Sequence, residues 1–369
     1  MIQRLYVNNF RCLENFTLEL GTLSSALLIG KNGAGKSTIC FALELFQSIG
    51  RGKNRIRELF AQRDISFGRE GVPVRFEIEV LLEGLVFQYS LALEMPENFK
   101  ELRVLEENLI ISGTTIYTRQ QAQVTLHSRP NSREAQFLVD WHLIALPVIQ
   151  QHSAGDPLQI FKNWLARMIL LTPVPILMKG ESDKESLDPD RTCYNFGNWI
   201  SGVLGQNPAA YTQIDKFLRD VMPDIQDFLN QPTGKESKSL VVRFELDGET
   251  VPLDFEVLSD GEKCFFVCAV LLAFNRYYGP IFCFWDEPDN YLSLSEVGHF
   301  LVALRKSFKD SSQVLVTSHN PEAIRSFSDE NTFVLDRKSH LEPTLVRLLK
   351  DLPIEGDLVN ALSRGDINL

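Results

Sequence analysis

Residues 30–37 read GKNGAGKS and match the phosphate-binding pattern GxxxxGK[ST] at every fixed position. The apolar run Ala26–Ile29 before this loop predicts a buried strand, and the apolar-periodic stretch Ser37–Gln47 after it predicts a helix. Glycines allow the backbone to fold so that its N–H groups face an anion at the start of a helix. We therefore predict a strand–loop–helix unit that binds nucleotide phosphates.

Individual side chains of this loop have separate tasks. Lys36 would reach the β- and γ-phosphates, and the Ser37 hydroxyl would bind Mg²⁺. The residues predicted to bind ATP here are Gly30, Asn32, Gly33, Ala34, Gly35, Lys36, Ser37 and Thr38.

Composition narrows the class of protein. With 369 residues and 44% apolar content, the chain can form two domains or one large α/β domain with an insertion. Its six cysteines contain no CxxC pair and lie mostly in apolar runs, which favours reduced core residues over disulfides or zinc ligands. No segment resembles a signal peptide or a membrane span, so we expect a soluble cytoplasmic protein. A net charge of −11 argues against a broadly basic nucleic-acid surface but leaves a local patch open.

Patterns along the chain predict three segments, which are an N-terminal lobe at 1–95, a β extension with a helical insertion at 96–239, and a C-terminal lobe at 240–369. Period-2 alternation predicts a hairpin of Val74–Val80 with Leu85–Leu93. Helices are predicted from Asp156-Pro157 to Thr172-Pro173, through Asn195–Val203, and through Pro208–Leu229.

Two carboxylates follow the apolar run Ile281–Trp285. A buried parallel strand delivers catalytic groups at its C-terminal end, where Asp286 and Glu287 stand. Asp286 would hold Mg²⁺, directly or through water, and Glu287 would orient or deprotonate the attacking water.

A second apolar strand, Gln313–Thr317, ends next to His319. A neutral His319 would hydrogen-bond a γ-phosphate, whereas by itself it reads as an ordinary loop histidine. We place it in the site because its strand is expected to neighbour the Asp286 strand.

The residues Leu258–Lys263, LSDGEK, open a long apolar helix. Ser259 and Glu262 also form an ordinary capping box, which needs no ligand. Capping leaves Gly261 unexplained, because glycine in a first turn costs helix stability. A phosphate that approaches the backbone closely would explain it.

Four motifs in this order, GKNGAGKS, LSDGEK, FCFWDEPDNYLS and TSHNPE, resemble the Walker A, signature, Walker B with D-loop, and switch-histidine elements of ABC-type ATPases. The opening NNFR, residues 8–11, resembles the start typical of the RecF, SMC and OLD-nuclease branch, and places Arg11 among the expected ATP-binding residues. The resemblance implies an α/β P-loop NTPase head with a mixed sheet, an antiparallel β subdomain and a helical insertion.

This resemblance also implies a homodimer that encloses two ATP molecules with Mg²⁺. Ser259 and Gly261 of one chain would contact the γ-phosphate held by Lys36 of the other, although Asp260 and Glu262 depart from the LSGGQ form. Residues 290–292 would form the D-loop. The glutamine that senses the metal is assigned to Gln150 or Gln151, with Gln62 as the next choice; any of these could also be an ordinary surface glutamine.

A basic cluster follows the phosphate-loop helix and comprises Arg51, Lys53, Arg55, Arg57 and Arg63. It is either a solvated loop, a nucleic-acid contact or a source of a nucleotide-sensing arginine.

The leading hypothesis is an ATP-hydrolysing, dimerising switch that controls a partner effector, a nuclease or toxin in anti-phage defence. We expect neither a TOPRIM nuclease domain nor a coiled coil in this chain. The alternatives are a RecF-like DNA-binding repair ATPase and a scaffold that binds ATP without hydrolysis; a transporter subunit fits the apolar signature helix poorly.

Overall fold

The computed structural model describes residues 1–97, 99–127, 134–150, 155–235 and 237–352. Its strands are β1 (Ile2–Asn8), β2 (Phe16–Glu19), β3 (Ser25–Gly30), β4 (Val74–Leu82), β5 (Leu85–Glu94), β6 (Arg103–Ile111), β7 (Thr114–Gln120), β8 (Gln123–Leu126), β9 (Ala135–Leu138), β10 (Ile169–Leu171), β11 (Glu181–Ser182), β12 (Ile225–Pro232), β13 (Lys238–Leu246), β14 (Glu249–Asp254), β15 (Phe282–Trp285), β16 (Gln313–Thr317), β17 (Thr332–Asp336) and β18 (Leu345–Leu348). Its α-helices are α1 (Lys36–Gly50), α2 (Ile56–Leu59), α3 (Pro157–Ala166), α4 (Phe196–Gln206), α5 (Ala210–Val221), α6 (Asp260–Tyr278), α7 (Leu294–Ser307) and α8 (Pro321–Arg325).

The chain divides into two compact units. Unit 1 comprises Met1–Leu23, Leu28–Met168 and the chain from Asp329 onward, and unit 2 comprises Ser24–Leu27 and Ile169–Ser328. The three predicted segments at 1–95, 96–239 and 240–369 stay a prediction.

Unit 1 is built on an antiparallel sheet with the strand order β2-β1-β4-β5-β6-β7-β8-β9. The predicted hairpin is confirmed, because β4 pairs with β5 across Glu83-Gly84 and both turn residues have a positive φ. In the same unit β17 pairs antiparallel with β18.

Helix α1 packs against α3 in unit 1 at a point where only glycine fits. A Cβ added to Gly50 would lie 2.5 Å from the Ala166 nitrogen and 2.6 Å from the Leu165 Cβ. Next to this contact, the buried Gln47 amide donates to the Met168 carbonyl at 2.7 Å. The close approach therefore fixes the helix that begins at the phosphate loop.

A buried acid anchors the segment that follows β9. Glu107 on β6 is fully buried and accepts hydrogen bonds from the hydroxyls of Tyr89 and Tyr117 and from the amides of Ala145 (2.7 Å) and Leu146 (2.8 Å). Burial, reinforced by the Glu107 charge, raises the pKa of both tyrosines, so their hydroxyls stay protonated and donate. The acid thus satisfies backbone donors that the segment itself cannot pair.

Unit 2 contains the parallel strands β10, β15 and β16, with the first residues of β3 beside β16. Helix α6 is apolar on every side, and each residue from Lys263 to Asn275 is buried. A separate antiparallel sheet joins β12, β13 and β14, with β11 beside the start of β13.

Two helix boundaries predicted from sequence are wrong. The helix that begins at Asp156-Pro157 ends at Ala166 and not at Thr172-Pro173, because Ile169–Leu171 pairs with β15 as strand β10. The helix predicted through Pro208–Leu229 ends at Val221, because the following residues pair with β13 as β12. In both cases pairing with a distant strand overrides the local apolar pattern.

The predicted α/β class is confirmed by this arrangement of parallel strands, antiparallel sheets and helices. All six cysteines are buried, as expected for core residues. Across the described ranges, no helix is long and apolar enough to cross a membrane.

Replacing Gly50 with alanine is expected to destabilise the protein by about 2 kcal/mol, because the added methyl group overlaps the backbone of α3. Gly298→Ala is the matched control, because Gly298 also lies inside a helix and, in the described part of the chain, nothing beyond its own helix backbone and chain neighbours comes within 4 Å of its added Cβ. This substitution should stabilise the protein by about 1 kcal/mol. Urea unfolding of both variants measures the difference. Equal effects would contradict the packing argument.

Glu107→Gln should cost about 3 kcal/mol of unfolding free energy, because the amide nitrogen cannot accept the backbone hydrogen bonds and Arg119 loses its buried partner. Its neighbour Glu106 forms a partly exposed ion pair with Arg75, so Glu106→Gln should cost about 1 kcal/mol or less. Chemical unfolding tests both, and a Glu107→Gln variant as stable as Glu106→Gln would refute the anchoring role.

Candidate functional site

The phosphate loop in unit 1 needs its glycines for two physical reasons. Gly30, Gly33 and Gly35 all have a positive φ, which side chains rarely adopt. Space is also lacking: a Cβ on Gly30 would lie 2.3 Å from the Leu335 carbonyl oxygen, and one on Gly35 would lie 2.7 Å from Thr344 Oγ1. A backbone with this shape and without side chains is what close approach of a phosphate requires.

Lys36 is held over the loop. Its ammonium group donates to the carbonyl of Gly30 at 2.9 Å and to that of Lys31 at 3.5 Å, and the residue is buried. Helix α1 begins directly after Gly35 with no acidic residue in its first turn, so its positive N-terminal end is not neutralised. Asn32, Gly33 and Ser37 are exposed, whereas Ala34 is buried.

Sequence reasoning missed the residues that support this loop. Thr344 packs against Gly35, and its backbone amide donates to the Cys12 carbonyl at 2.9 Å. Its buried hydroxyl has no hydrogen-bond partner among the residues that the structure describes. Cys12 in turn contacts Thr38 Oγ1 at 3.5 Å. Neither residue carries a local motif, because their role arises from contacts between segments that are distant in the chain.

Arg11 lies beside α1, with φ at +53°. Its Nε donates to Asp64 Oδ1 at 2.9 Å, and its guanidinium stacks over the Phe41 ring at 4.0 Å. These contacts orient the side chain, and its proposed contact with ATP stays a prediction.

In unit 2 one threonine hydroxyl binds both acidic residues that follow β15, the side chain of the first and the backbone of the second. The buried Thr317 hydroxyl donates to Asp286 Oδ1 at 2.6 Å and accepts from the Glu287 amide at 2.9 Å. This is possible because β15 and β16 are parallel neighbours with Trp285 opposite Val316, which confirms that the two strands lie side by side. Thr317 was seen in the sequence only as the end of a strand.

Glu287 is held in a strained backbone conformation, with φ at +49°. One carboxylate oxygen lies 3.3 Å from His319 Nε2, and the other accepts from the Asn290 amide at 2.6 Å. Its side chain is about one-third exposed at 32%. The carboxylate is therefore oriented on both sides and still open to water.

A third acid, Asp289, is linked by hydrogen bonds to the same group of residues. The sequence analysis did not identify it. It is buried, and one carboxylate oxygen accepts from the Ser318 hydroxyl at 2.8 Å. Burial raises the pKa of Asp289, with a smaller contribution from the Glu287 charge and opposition from the Ser318 hydrogen bond. The Ser318 hydroxyl also accepts from the Asn320 amide, so it ties Asp289 to the loop that carries His319.

The start of α6 forms the predicted capping box in full. Ser259 Oγ accepts from the Glu262 amide at 3.3 Å, and the Glu262 carboxylate accepts from the Ser259 amide at 2.7 Å. A Cβ on Gly261 would lie 2.9 Å from the Tyr291 carbonyl oxygen, so the close approach of Tyr291 gives this glycine a structural reason of its own. Ser259 is exposed.

The candidates for a metal-sensing glutamine differ in their surroundings. Gln150 is exposed, Gln62 donates to Glu70, and Gln151 lies outside the described residues. Its assignment stays a prediction.

The residues present fit ATP with Mg²⁺ by their chemistry. In unit 1 the positive φ of Gly30, Gly33 and Gly35 shapes the loop for a phosphate, Lys36 supplies positive charge, and the Ser37 hydroxyl is a donor of the kind that Mg²⁺ prefers. In unit 2 the Asp286 carboxylate is also a donor of that kind. Mg²⁺ would neutralise phosphate charge when bound.

Comparison with known proteins assigns the chain to a family. The family described as "AAA domain, putative AbiEii toxin, Type IV TA system" matches residues 25–325. The chain is similar to the OLD nuclease of Thermus scotoductus, with 53% identity over 45 residues, which is 12% of this chain and 8% of that protein. It is also similar to the chromosome partition protein Smc of Chlorobaculum tepidum, with 35% identity over 75 residues, 20% of this chain and 6% of that protein. The matched stretch is thus less than a tenth of each curated relative.

Solved structures agree on the fold. An SMC head bound to the C-terminal winged-helix domain of ScpA superposes with a TM-score of 0.58 at 14% identity, covering 95% of this chain and 98% of that one. An Smc head with an extended coiled coil, bound to the C-terminal domain of ScpA derived from Pyrococcus furiosus, gives a TM-score of 0.51 at 13% identity, covering 95% and 97%.

The chain therefore belongs to this AAA family, as an ATPase of the SMC and OLD-like branch with the P-loop NTPase fold. The predicted resemblance and fold class are confirmed.

Thr317→Val should lower the unfolding free energy by about 2 kcal/mol, because it keeps the shape but leaves the Glu287 amide without its acceptor. Thr317→Ser retains the hydroxyl and should keep its bonds to the Asp286 carboxylate and the Glu287 amide. Thermal unfolding of the two variants provides the measurement. A valine variant more stable than the serine variant would show that these two bonds do not stabilise the protein.

Proposed function

We propose that this protein is an ATP-binding and ATP-hydrolysing switch that works as a homodimer and controls a partner effector. The observation that carries this proposal is the paired anchoring of Asp286 and Glu287 by Thr317. A chain that only bound nucleotide would have no need for a second carboxylate kept open to water beside the metal-binding one.

The proposed reaction is hydrolysis of the terminal phosphoryl group. A water oxygen bonds to the γ-phosphorus, the bond from that phosphorus to the bridging oxygen of ADP breaks, and the water proton passes to Glu287. Lys36 holds phosphate charge, while His319 and Asn290 keep the Glu287 carboxylate oriented.

Dimerisation is proposed through the start of α6. This helix has 19 residues, and its N-terminal amides suit an anion such as the γ-phosphate of a second protomer. The Glu262 carboxylate accepts a hydrogen bond from the Ser259 amide within the capping box, so its negative charge is held at the start of its own helix. That leaves Asp260 as the acid that would oppose closure, since it is exposed.

The effector is proposed to be a nuclease or toxin in anti-phage defence. The family description names a toxin of a toxin–antitoxin system, and one relative is named as a nuclease. Both descriptions support a role in defence, in which ATP hydrolysis controls when the toxin or nuclease becomes active. A RecF-like DNA-binding role is less favoured by the net charge of −11.

Glu287→Gln should lower steady-state phosphate release by about 100-fold or more while ATP affinity is kept, because only the proton acceptor is lost. With ATP and Mg²⁺ the variant should accumulate as a dimer in light scattering. The exposed Glu330→Gln is the matched control and should leave turnover unchanged.

Two outcomes would contradict this function. No phosphate release from the parent protein, with ATP bound, would favour a scaffold. Turnover that rises with DNA, together with a DNA affinity that falls steeply with salt, would favour the RecF-like role.

A further inference from the structure

Unit 1 contains a cavity that the proposed ATP site does not use. It has a volume of about 380 Å³, and its lining residues are 55–57, 60–62, 95, 100–102, 140, 142 and 143. We call it the Arg55 cavity after the first residue of its lining. None of the phosphate-loop residues lines it. Its volume lies in the range of pockets that hold small molecules, which begins at about 300 Å³.

The Arg55 cavity has cations that are not paired within the protein. Three of its lining residues, Arg55, Arg57 and Lys100, are exposed, and in the described part of the chain their side chains have no hydrogen-bond or ion-pair partner. Other arginines of this unit do have acid partners, as Arg69 has Glu14 and Arg103 has Glu94. Free guanidinium groups at a cavity are suited to a phosphate, which they bind in a bidentate manner.

The rest of the lining indicates that the ligand is larger than a bare phosphate. Phe60 and Leu102 are buried apolar residues in the lining, which suits a planar or apolar body. The carboxylates of Glu101 and Asp140 also line the cavity and would accept hydrogen bonds from hydroxyl or amino groups. A phosphate, a flat body and donor groups together describe a nucleotide.

The walls of the cavity are fixed before any ligand binds. The fully buried Arg119 donates to the carbonyls of Asp140 (2.9 Å) and Leu143, and the His142 imidazole contacts the Leu102 carbonyl at 2.8 Å. The two sides are joined because the Ile56 amide donates to the His142 carbonyl at 3.0 Å. A preformed pocket of this kind binds with little loss of conformational entropy.

We propose that the Arg55 cavity binds a nucleoside monophosphate unit, separately from the ATP held by the phosphate loop. The unit comes either as a free nucleotide or as the phosphorylated end of a nucleic-acid strand, since both present the same chemistry. Arg55 and Arg57 bind the phosphate, and the apolar wall takes the base. Of the five residues in the basic cluster predicted from the sequence, only Arg55 and Arg57 line the cavity. We therefore assign phosphate binding to these two residues and not to the whole cluster.

The test is calorimetric titration of the full chain, with saturating ATPγS present so that the phosphate loop is occupied. The probes are the four nucleoside 5′-monophosphates and a thymidine hexanucleotide with or without a 5′-phosphate. Arg57→Gln should weaken binding about 10-fold. Arg63→Gln is the matched control, because Arg63 belongs to the same basic cluster but not to the cavity lining, and it should leave the affinity unchanged.

The outcomes are decisive in each direction. Tighter binding of a monophosphate identifies a free nucleotide, and tighter binding of the 5′-phosphorylated hexanucleotide identifies a strand end. Absence of binding by every probe, or equal binding by Arg57→Gln and the parent, overturns the proposal. Repeating the titration in Glu287→Gln separates the two sites, because loss of ATP turnover should not alter affinity at the Arg55 cavity.

Discussion

At Gly30 and Gly35 the backbone approaches neighbouring atoms more closely than any side chain permits. The space for a Cβ at Gly30 is taken by the Leu335 carbonyl, and at Gly35 by Thr344 and Cys12. This contact fixes the shape of the phosphate loop from outside, so the amides before α1 are oriented by the core of unit 1. Because Gly50 fits equally tightly against α3, helix α1 is held at both ends. The position of Lys36 depends on these contacts.

In unit 1 the site residues are positioned by close packing at glycines, whereas in unit 2 they are positioned by a hydroxyl group. Thr317 connects two neighbouring parallel strands at the level where both end. Its single side-chain oxygen donates to the Asp286 carboxylate and accepts from the Glu287 amide. One residue later, the Ser318 hydroxyl binds in the same way: it donates to the Asp289 carboxylate and accepts from the Asn320 amide, in the loop that carries His319. Short polar side chains at the ends of buried strands thus convert sheet geometry into positioned carboxylates.

Much of this could be predicted from sequence, since local rules govern it. The phosphate loop with its strand and helix, the Glu83-Gly84 hairpin and the Ser259 capping box all arise from neighbouring residues. The failures have a common cause in contacts between distant segments. Residues of β10 and β12 were predicted to be helical but form strands, because β10 pairs with β15 and β12 pairs with β13. Thr317 and Thr344 carry no motif that would distinguish them from any other threonine.

We propose that two copies of this chain close over ATP and that hydrolysis separates them. A crystal structure of Glu287→Gln grown with ATP and Mg²⁺ tests this proposal most directly. Two protomers are expected, with each γ-phosphate between Lys36 of one protomer and Ser259 of the other. A monomer, or a dimer whose γ-phosphates lie away from Ser259, would contradict it.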